Sequence, residues 1–438
     1  MAATVSSIFP LTAIQRKHWK LVAHHPDNLR RVLVVMCDVP PQCTRSEVRE
    51  AFDRIVTRHE ALRCRVVTLD DGTVAQEVLN ARALVHQANY EEIRLDTHIG
   101  RDGFPSWLRR HLSRAMRLDM GAVRGCFVVA DDQRFLAVAV HHMYCDEYSR
   151  RMLVAELTNI LNGRAQPTAT APQLSDFLSP DRLEAERVNL TYWKSLMERH
   201  VAASGLPPGL QDNQYDSQFG ASVQCAPSLC SSLAVCARRL RISVPMLLQA
   251  TLTHVLRTYW GQAPLLMQAV VLNRSTAMEG RVVACLANEI VIPVPQAIRF
   301  DDFVQQMSRS IISSMSRASY HYPALLAWRR QQRESHQRRE FAVAGACNVI
   351  GRFRSDLESA LSDDVPYVVT PAKSPIHILD RMILQAASIE SNIVVGRNFV
   401  KVEVGGSAAV ISAGDVRDIA AAVGEELLMR ARQLSTGV

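Results

Sequence analysis

The stretch from Phe135 to Ser149, FLAVAVHHMYCDEYS, constrains the fold of this chain more than any other. Phe135 to Val140 is an unbroken apolar run, which is typical of a strand buried on both faces. From Met152 onwards, apolar residues recur at helical spacing. Between the two patterns lie ionisable and polar residues, namely His141, His142, Asp146, Glu147 and Ser149. The sequence therefore predicts a buried strand that delivers imidazoles and carboxylates to a strand-to-helix turn, where functional groups are commonly placed.

The two adjacent histidines are expected to have different surroundings. Successive side chains of a strand point to opposite faces, so His141 and His142 cannot both face one cavity if the strand runs through them. One imidazole would act in a site, and the other would be held inside by hydrogen bonds. Two other interpretations stay open: both histidines are hydrogen-bonded core groups, or one of them binds a metal with Cys145 and Asp146. Because no second cluster of metal ligands with matching spacing is found, the sequence predicts no metal.

Several motifs of this chain resemble one known family. HHMYCDEYS is similar to the HHxxxDG signature of nonribosomal peptide synthetase condensation domains and related chloramphenicol-acetyltransferase-like acyltransferases. Other stretches resemble the family in the same order. They are Leu11 to Leu21 (LTAIQRKHWKL), Arg58 to Val66 (RHEALRCRV), Asp71 to Val78 (DGTVAQEV), Leu174 to Trp193, Val244 to Gly261, Asn273-Arg274 and Ala284 to Pro293. The resemblance covers most of the chain and weakens after about Arg352.

Local patterns predict several further elements. Gly125 to Ala130 and Phe135 to Val140 are expected to be paired strands, and Asn392 to Val404 a further strand. Thr44 and Glu47 have the spacing of a capping box that begins a helix, and another helix is expected to begin at Ser243 and end at Gly261.

The order of predicted elements indicates an α/β protein, since strands and helices alternate in both halves. Between Asn162 and Pro180 the composition changes to Gly, Ala, Pro, Thr and Gln, which favours a linker. The resemblance adds two chloramphenicol-acetyltransferase-like lobes that form a V-shaped pseudo-dimer with the active site in a tunnel between them. It implies an N-terminal lobe over residues 1–170 and a C-terminal lobe over 171–438. A segment that crosses between the lobes is expected after Arg352.

The resemblance also implies the roles of the motif residues. His142 would face the tunnel and act on an amine or alcohol acceptor, either by accepting its proton or by positioning it. His141 would be structural. Asp146 would form an ion pair with Arg274 of the second lobe and so hold the motif loop. A cysteine nucleophile at Cys145 is an alternative, but the family motif has a variable residue there.

Glu147 is a departure from the family signature, which has glycine at this position. A glutamate adds bulk and charge beside the base, and we expect it to select a small or positively charged acceptor. It could instead raise the pKa of His142 or point into solvent. Together with Ser149 and Asn288, Glu147 is a candidate substrate-binding residue.

The function implied by the resemblance is a free-standing condensation-type acyltransferase of natural-product biosynthesis, because the chain ends soon after the family fold. It would form an amide or ester between a thioester on the phosphopantetheine of a carrier protein and the acceptor, with no permanently bound cofactor. One alternative is an acyltransferase that uses coenzyme A thioesters. The alternative from another class is a non-catalytic module that binds a carrier protein or a partner enzyme.

Composition excludes several other classes of partner. The net charge of +7 is not concentrated in a basic run interleaved with aromatics, so nucleic-acid binding is not expected. A mildly basic surface suits an acidic carrier protein. No apolar run reaches the roughly 18 residues of a membrane-spanning helix. The ten cysteines are scattered, and the N-terminus lacks the pattern of a secretory leader, so a cytoplasmic protein with reduced thiols is expected.

Overall fold

The computed structural model describes most of the chain and divides it into two compact units. The described residues are 7–24, 32–80, 90–95, 104–113, 116–130, 133–164, 170–178, 180–199, 218–261, 266–321, 324–325, 327–328, 331–332, 343–351, 367–371, 389–396, 399–407 and 411–435. Unit 1 comprises Met1–Glu186, Leu272–Ala287 and His321–Pro323, and unit 2 comprises Arg187–Val271, Asn288–Tyr320 and Ala324–Val438. The predicted lobe boundary after residue 170 stays a prediction. The crossing segment expected after Arg352 falls largely on residues 352–366 and 372–388, outside the described residues.

Unit 1 contains two sheets and the helices that cover them. Its strands are β1 Ser7–Pro10, β2 Val32–Asp38, β3 Cys64–Thr68, β4 Val74–Val78, β5 Tyr90–Leu95, β6 Val123–Ala130 and β7 Gln133–His141. Its helices are α1 Ala13–His24, α2 Arg45–Arg58, α3 Phe104–Ser113 and α4 Glu147–Leu161, and the unit boundary falls within α5 Pro180–Arg199. Short 3-10 turns cover Glu60–Arg63, Leu174–Phe177 and Glu279–Arg281. The strand orders are β2-β7-β6-β5 and β1-β4-β3.

Strand β7 confirms the prediction of a strand buried on both faces. It lies between β2 and β6 and is antiparallel to both, so the predicted pairing with the preceding strand is also confirmed. Its side chains alternate between two hydrophobic clusters: Leu136, Val138 and Val140 enter one, while Ala137 and Ala139 enter the other. Because both faces of the strand are covered by protein, the run contains no polar residue.

Helix α2 begins at the predicted capping box. The Oγ1 of Thr44 accepts a hydrogen bond from the backbone N–H of Glu47 at 3.2 Å, and Glu47 Oε2 accepts one from the N–H of Thr44 at 2.7 Å. The buried face of the helix approaches β6 closely at Gly125, where a Cβ would lie 2.7 Å from the ring of Phe52. A side chain at Gly125 would therefore displace the helix from the sheet that carries the motif strand.

Unit 2 is built around one seven-stranded sheet with the order β10-β9-β11-β13-β14-β8-β12. The strands are β8 Gln218–Cys225, β9 Leu266–Val271, β10 Asn288–Pro293, β11 Val343–Gly351, β12 Tyr367–Pro371, β13 Ile389–Val395 and β14 Val400–Ser407. The helices are α6 Pro227–Arg239, α7 Val244–Tyr259, α8 Phe300–Met315 and α9 Ala413–Ser435. Both units mix helices with sheets, so the predicted α/β class is confirmed.

Two local predictions in unit 2 have different outcomes. Helix α7 begins and ends as predicted, with Ser243 as its N-cap and Gly261 just beyond it at a φ of 72°. The stretch 392–404 was expected to be strand throughout, but it contains parts of two antiparallel strands, β13 and β14. The chain reverses at Gly396, whose N–H donates to the carbonyl oxygen of Phe399 at 2.7 Å, because glycine favours a turn over a continuing strand. None of the described helices is both long and apolar enough to cross a bilayer.

Candidate active site

The motif turn is formed where β7 ends and α4 begins. Strand β7 ends at His141, and α4 begins at Glu147 with Asp146 as its N-cap. The Oδ1 of Asp146 accepts a hydrogen bond from the backbone N–H of Ser149 at 2.8 Å, which satisfies one of the free N–H groups of the first helical turn. Every residue from His141 to Asp146 is buried. The turn is therefore a fixed part of the protein interior rather than a surface loop.

His141 is held by the backbone of this turn. Its Nδ1 accepts a hydrogen bond from the N–H of Met143 at 3.1 Å. Since an accepting nitrogen carries no proton, the neutral imidazole has its proton on Nε2. The contact supports the structural role predicted for His141, which stays a prediction.

His142 has a different environment from its neighbour. Its ring stacks on that of His18, with centroids 4.9 Å apart and an interplanar angle of 28°. Its Nδ1 lies 3.8 Å from the Sγ of Cys285, and the same sulfur lies 3.6 Å from Nε2 of His18. His18 and Cys285 were not among the residues predicted to lie beside His142. Both lie in stretches that resemble the family, but no spacing rule links residues separated by 267 positions.

Asp146 forms a buried ion pair with Arg274. The guanidinium Nη2 donates to Oδ1 and Oδ2 of the carboxylate, at 3.0 Å each. The side chains are 4% exposed for Arg274 and fully buried for Asp146. The backbone N–H groups of Leu286 and Ala287 donate to Oδ2 at 3.0 and 3.1 Å. The predicted contact is thus present, and Arg274 lies in the segment Leu272–Ala287, which belongs to unit 1.

Ser149 joins the same network through its hydroxyl group. Its Oγ donates to the carbonyl oxygen of Ala284 at 2.7 Å, and it accepts from the N–H of Ala284 at 3.0 Å and from Nη2 of Arg274 at 2.8 Å. The guanidinium also donates to the carbonyl oxygens of Glu279, Val282 and Ala284. These protein groups use the full capacity of the hydroxyl. The substrate-binding role predicted for Ser149 stays a prediction, and the geometry places the residue with Asp146 and Arg274 as support of the turn.

Glu147 is engaged by two arginines of its own helix. Its carboxylate accepts hydrogen bonds from Arg150 at 2.6 and 2.7 Å and from Arg151 at 3.1 Å. Partial burial raises the pKa of this carboxyl, but the two guanidinium groups outweigh burial and hold the pKa below its ordinary value. The carboxylate is therefore charged at neutral pH and already has cationic partners. Its predicted role in acceptor selection stays a prediction.

Cys145 is a buried thiol whose surroundings disfavour ionisation. Its Sγ donates a long hydrogen bond of 3.4 Å to the carbonyl oxygen of Asp146. Burial, reinforced by the negative charge of Asp146, raises the pKa of the thiol well above its ordinary value. A thiolate nucleophile is therefore disfavoured here. A metal site that uses Cys145 and Asp146 is disfavoured as well, because both oxygens of the carboxylate are engaged by Arg274 and backbone N–H groups.

Asn288 belongs to unit 2, at the first position of β10. Its Nδ2 donates to the carbonyl oxygen of Ala318 at 2.6 Å, and its Oδ1 accepts from the N–H of Glu289 at 2.9 Å. The side chain is 2% exposed. These contacts connect β10 to the end of the following helical segment, and the predicted substrate-binding role stays a prediction.

The motif turn lies in a part of the chain that matches a known protein family. The model of the condensation-domain family matches residues 5–348 of the chain, which include the whole motif turn and the segment of Arg274. The chain belongs to the condensation-domain family.

Curated relatives of this condensation domain include large synthetases. Malformin synthetase mlfA of Aspergillus homomorphus (strain CBS 101889) is 25% identical over 296 residues, which are 66% of this chain and 5% of that protein. Tyrocidine synthase 2 of Brevibacillus parabrevis is 24% identical over 291 residues, which are 64% of this chain and 8% of that protein. The chain thus spans less than a tenth of the length of these relatives.

Solved structures show the same fold at low sequence identity. The condensation domain of the monacolin K polyketide synthase MokA matches with a TM-score of 0.71 at 15% identity, covering 97% of this chain and 98% of that one. The epimerization domain from the third module of tyrocidine synthetase B matches with a TM-score of 0.73 at 16% identity, covering 99% and 98%. The predicted fold class is confirmed as the mixed α/β fold of condensation domains, which have two chloramphenicol-acetyltransferase-like lobes.

The ionisable groups of the motif turn differ in their contacts. His141 uses Nδ1 to hold the backbone, and Asp146 is neutralised by Arg274. The described contacts of His142 are with the ring of His18 and the sulfur of Cys285, and its predicted catalytic role stays a prediction.

Proposed function

We propose that this chain is a condensation-type acyltransferase of nonribosomal peptide biosynthesis. It transfers an acyl or aminoacyl group from the phosphopantetheine thioester of a carrier protein to an amine or alcohol acceptor. The proposal rests on the position of His142 in the motif turn. The ion pair between Asp146 and Arg274 joins this turn to the segment Leu272–Ala287 of unit 1. Membership of the condensation-domain family supports the same assignment.

His142 acts on the acceptor in the proposed reaction. The acceptor nitrogen or oxygen attacks the thioester carbonyl carbon while the imidazole takes up its proton. The tetrahedral intermediate then loses the thiolate as the C–S bond breaks, and the imidazolium returns the proton to the departing sulfur. The thioester is already activated, so no enzyme-bound acyl intermediate is required. The imidazole also orients the acceptor and hydrogen-bonds the intermediate.

The Asp146–Arg274 pair positions the base rather than touching the substrate. Its network fixes the N-terminus of α4 and the end of the turn, while Met143 and His141 fix its beginning. A small displacement of a catalytic group costs a large factor in rate, because the reacting atoms must approach to within about 3–3.5 Å. We therefore assign Asp146, Arg274 and Ser149 as positioning residues.

The choice of donor is open to a direct test with two probes. The starter condensation domain of rhizomide synthetase RzmA, a structure with a TM-score of 0.70 and 14% identity to this chain, was solved as a variant in complex with C8-CoA and Leu-SNAC. We would incubate the protein with Leu-SNAC and either C8-CoA or a carrier protein loaded with the same C8 acyl group. Mass spectrometry then detects C8-Leu-SNAC and the discharged carrier.

The expected result is turnover of the carrier thioester at a higher rate than that of C8-CoA. Faster turnover of C8-CoA would favour the alternative of a coenzyme A-dependent acyltransferase. The matched control is His111→Ala, which removes a half-exposed histidine of α3 that pairs with Glu91 and should leave turnover unchanged.

A second candidate function is a non-catalytic module that binds a carrier protein. The observation that favours it is Glu147, which stands where the family motif has glycine and adds a charged side chain to the motif. In that case the wild-type protein binds the loaded carrier but turns over neither donor. The wild-type protein would then be inactive and the Glu147→Gly variant active. Acyl transfer by Glu147→Gly but not by the wild type would overturn the enzyme assignment.

A further inference from the structure

The motif imidazole of His142 lies beside two other potential metal ligands. His18 of α1, His142 of the motif turn and Cys285 of the segment Leu272–Ala287 each offer one ligand atom, and these atoms lie within 4.8 Å of one another. All three residues are buried, with exposed fractions of 3%, 7% and 4%. We call this set the His-His-Cys cluster. It lies wholly within unit 1.

The two sulfur–nitrogen distances in the cluster are close to those between the ligands of a tetrahedral zinc ion. With a Zn–S bond of about 2.3 Å and a Zn–N bond of about 2.05 Å, the sulfur and nitrogen of a tetrahedral site are about 3.6 Å apart. The Sγ of Cys285 lies 3.6 Å from Nε2 of His18 and 3.8 Å from Nδ1 of His142. Because the two imidazole rings are stacked at an interplanar angle of 28°, at least one ring must turn before both nitrogens can ligate one ion beside the sulfur.

The donor set also selects the class of ion. A thiolate with two imidazoles suits zinc, cobalt and copper, whereas magnesium and calcium prefer oxygen ligands. Two histidines and one cysteine supply three protein ligands, which leaves a fourth tetrahedral position for water or another small ligand. The nearby carboxylate of Asp146 is engaged by Arg274 and is not needed to complete the set.

We propose that the His-His-Cys cluster binds one divalent transition-metal ion, of which Zn²⁺ fits best. On binding, the thiol of Cys285 releases its proton to solvent and ligates as the thiolate. The ion joins three segments that are far apart in the chain, so it also stabilises the folded state.

Metal binding would switch off the proposed reaction, and this consequence rests on the proposed role of His142. An ion on Nδ1 leaves the proton on Nε2, so the imidazole can donate a hydrogen bond but can no longer accept a proton. The bound ion therefore acts as a reversible inhibitor that occupies the base itself.

Cobalt gives a direct optical test of the site. The full chain is stripped with a chelator and titrated with Co²⁺, whose bond to a thiolate produces a charge-transfer absorption band. We expect one equivalent of Co²⁺ per chain with this band, and loss of the band when Zn²⁺ is added. Cys285→Ala should abolish the band. Cys43→Ala, which removes a partly buried cysteine of unit 1 outside the cluster, should retain it.

A second variant tests the imidazole ligands. His18→Ala should weaken Co²⁺ binding by at least about tenfold, whereas His111→Ala should not change it. Circular dichroism of the metal-free variants checks that each is folded. If Cys285→Ala does not fold, the charge-transfer band of the wild type and the Co²⁺ affinity of His18→Ala still test the metal site. Absence of the band in the wild type, or an equal Co²⁺ affinity of the folded Cys285→Ala variant, would overturn the metal site.

Activity separates this inference from the proposed function. Zn²⁺ should inhibit transfer of the C8 group to Leu-SNAC, and the chelator should restore it. If the protein transfers the C8 group at the same rate with and without Zn²⁺, the proposed inhibition is wrong. A cobalt band in a protein that never turns over either donor would support the metal site and contradict the acyltransferase.

Discussion

Arg274 places Nη2 of its guanidinium 3.0 Å from both carboxylate oxygens of Asp146, although the two residues are 128 positions apart. The same carboxylate caps α4 and accepts two backbone N–H groups of the segment that carries Arg274. A single buried acid thus connects the motif turn, the following helix and a distant segment of the chain. The geometry of the proposed base depends on that connection.

Removing either member of this pair should destabilise the protein strongly. Loss of one partner leaves a buried charge without its counter-ion, which costs about 3–5 kcal/mol. Asp146→Ala also leaves the N–H groups of Ser149, Leu286 and Ala287 without their acceptor. Urea denaturation of Asp146→Ala, Arg274→Ala and the double variant measures these costs, and the double variant should be less destabilised than the sum of the single ones. Additive costs would show that the two side chains do not interact.

Ser149→Ala should cost about 1–3 kcal/mol of stability. The hydroxyl accepts a hydrogen bond from the buried N–H of Ala284, and its loss leaves that N–H unsatisfied. The carbonyl oxygen of Ala284 loses one donor but keeps the guanidinium of Arg274. Ser231 is a suitable control because its exposed hydroxyl donates to a carbonyl oxygen of its own helix. Ser231→Ala should change the free energy of unfolding by less than about 0.5 kcal/mol. Equal effects of the two variants would contradict the network.

Glu147→Gln should lower stability by less than about 1 kcal/mol at neutral pH, because helical ion pairs of this kind are individually weak. The folded-state pKa of Glu147 is lowered, so its ion pairs stabilise the protein above the unfolded-state pKa of about 4.3. This contribution is lost as the pH falls through the folded-state pKa. The unfolding curves of the wild type and Glu147→Gln should therefore converge in acid. Glu50→Gln, at an exposed position of α2, is the control. A difference that persists undiminished in acid would contradict the ion pairs.

Acceptor choice tests the predicted functional role of Glu147. If its charge attracts a cationic acceptor, Glu147→Gln should raise the KM for a lysine-SNAC acceptor while leaving that for Leu-SNAC unchanged. If its bulk narrows the site, Glu147→Gly but not Glu147→Gln should admit larger acceptors. Arg150 and Arg151 already neutralise much of the charge, so we expect the bulk to have the larger effect. Unchanged preference in both variants would remove Glu147 from acceptor selection.

The sequence predicted elements whose cause is local. The apolar run of β7, the capping box of α2 and the Ser243 and Gly261 ends of α7 depend on neighbouring residues, and all are present in the structure. The predicted strand over 392–404 is wrong in one respect, because a turn at Gly396 divides it into parts of β13 and β14.

The site was predicted only as far as the family motifs reach. Asp146 and Arg274 could be paired because both occupy motif positions. His18 and Cys285 could not be placed beside His142, since their contacts arise from the packing of α1 and the segment Leu272–Ala287 in unit 1. Ser149 was assigned to the substrate from its place near the motif, whereas its three hydrogen bonds to the network are visible only in three dimensions.

The most direct test of the account is the single-turnover rate of C8 transfer from a loaded carrier protein to Leu-SNAC in three proteins: the wild type, His142→Ala and His141→Ala. We predict that His142→Ala stays folded and loses about a hundredfold or more in rate, because it lacks the base. His141→Ala should lower the urea midpoint, since the N–H of Met143 loses its acceptor, while the fraction that remains folded still turns over. A folded His142→Ala protein with the wild-type rate would contradict the central claim that this imidazole carries the reaction.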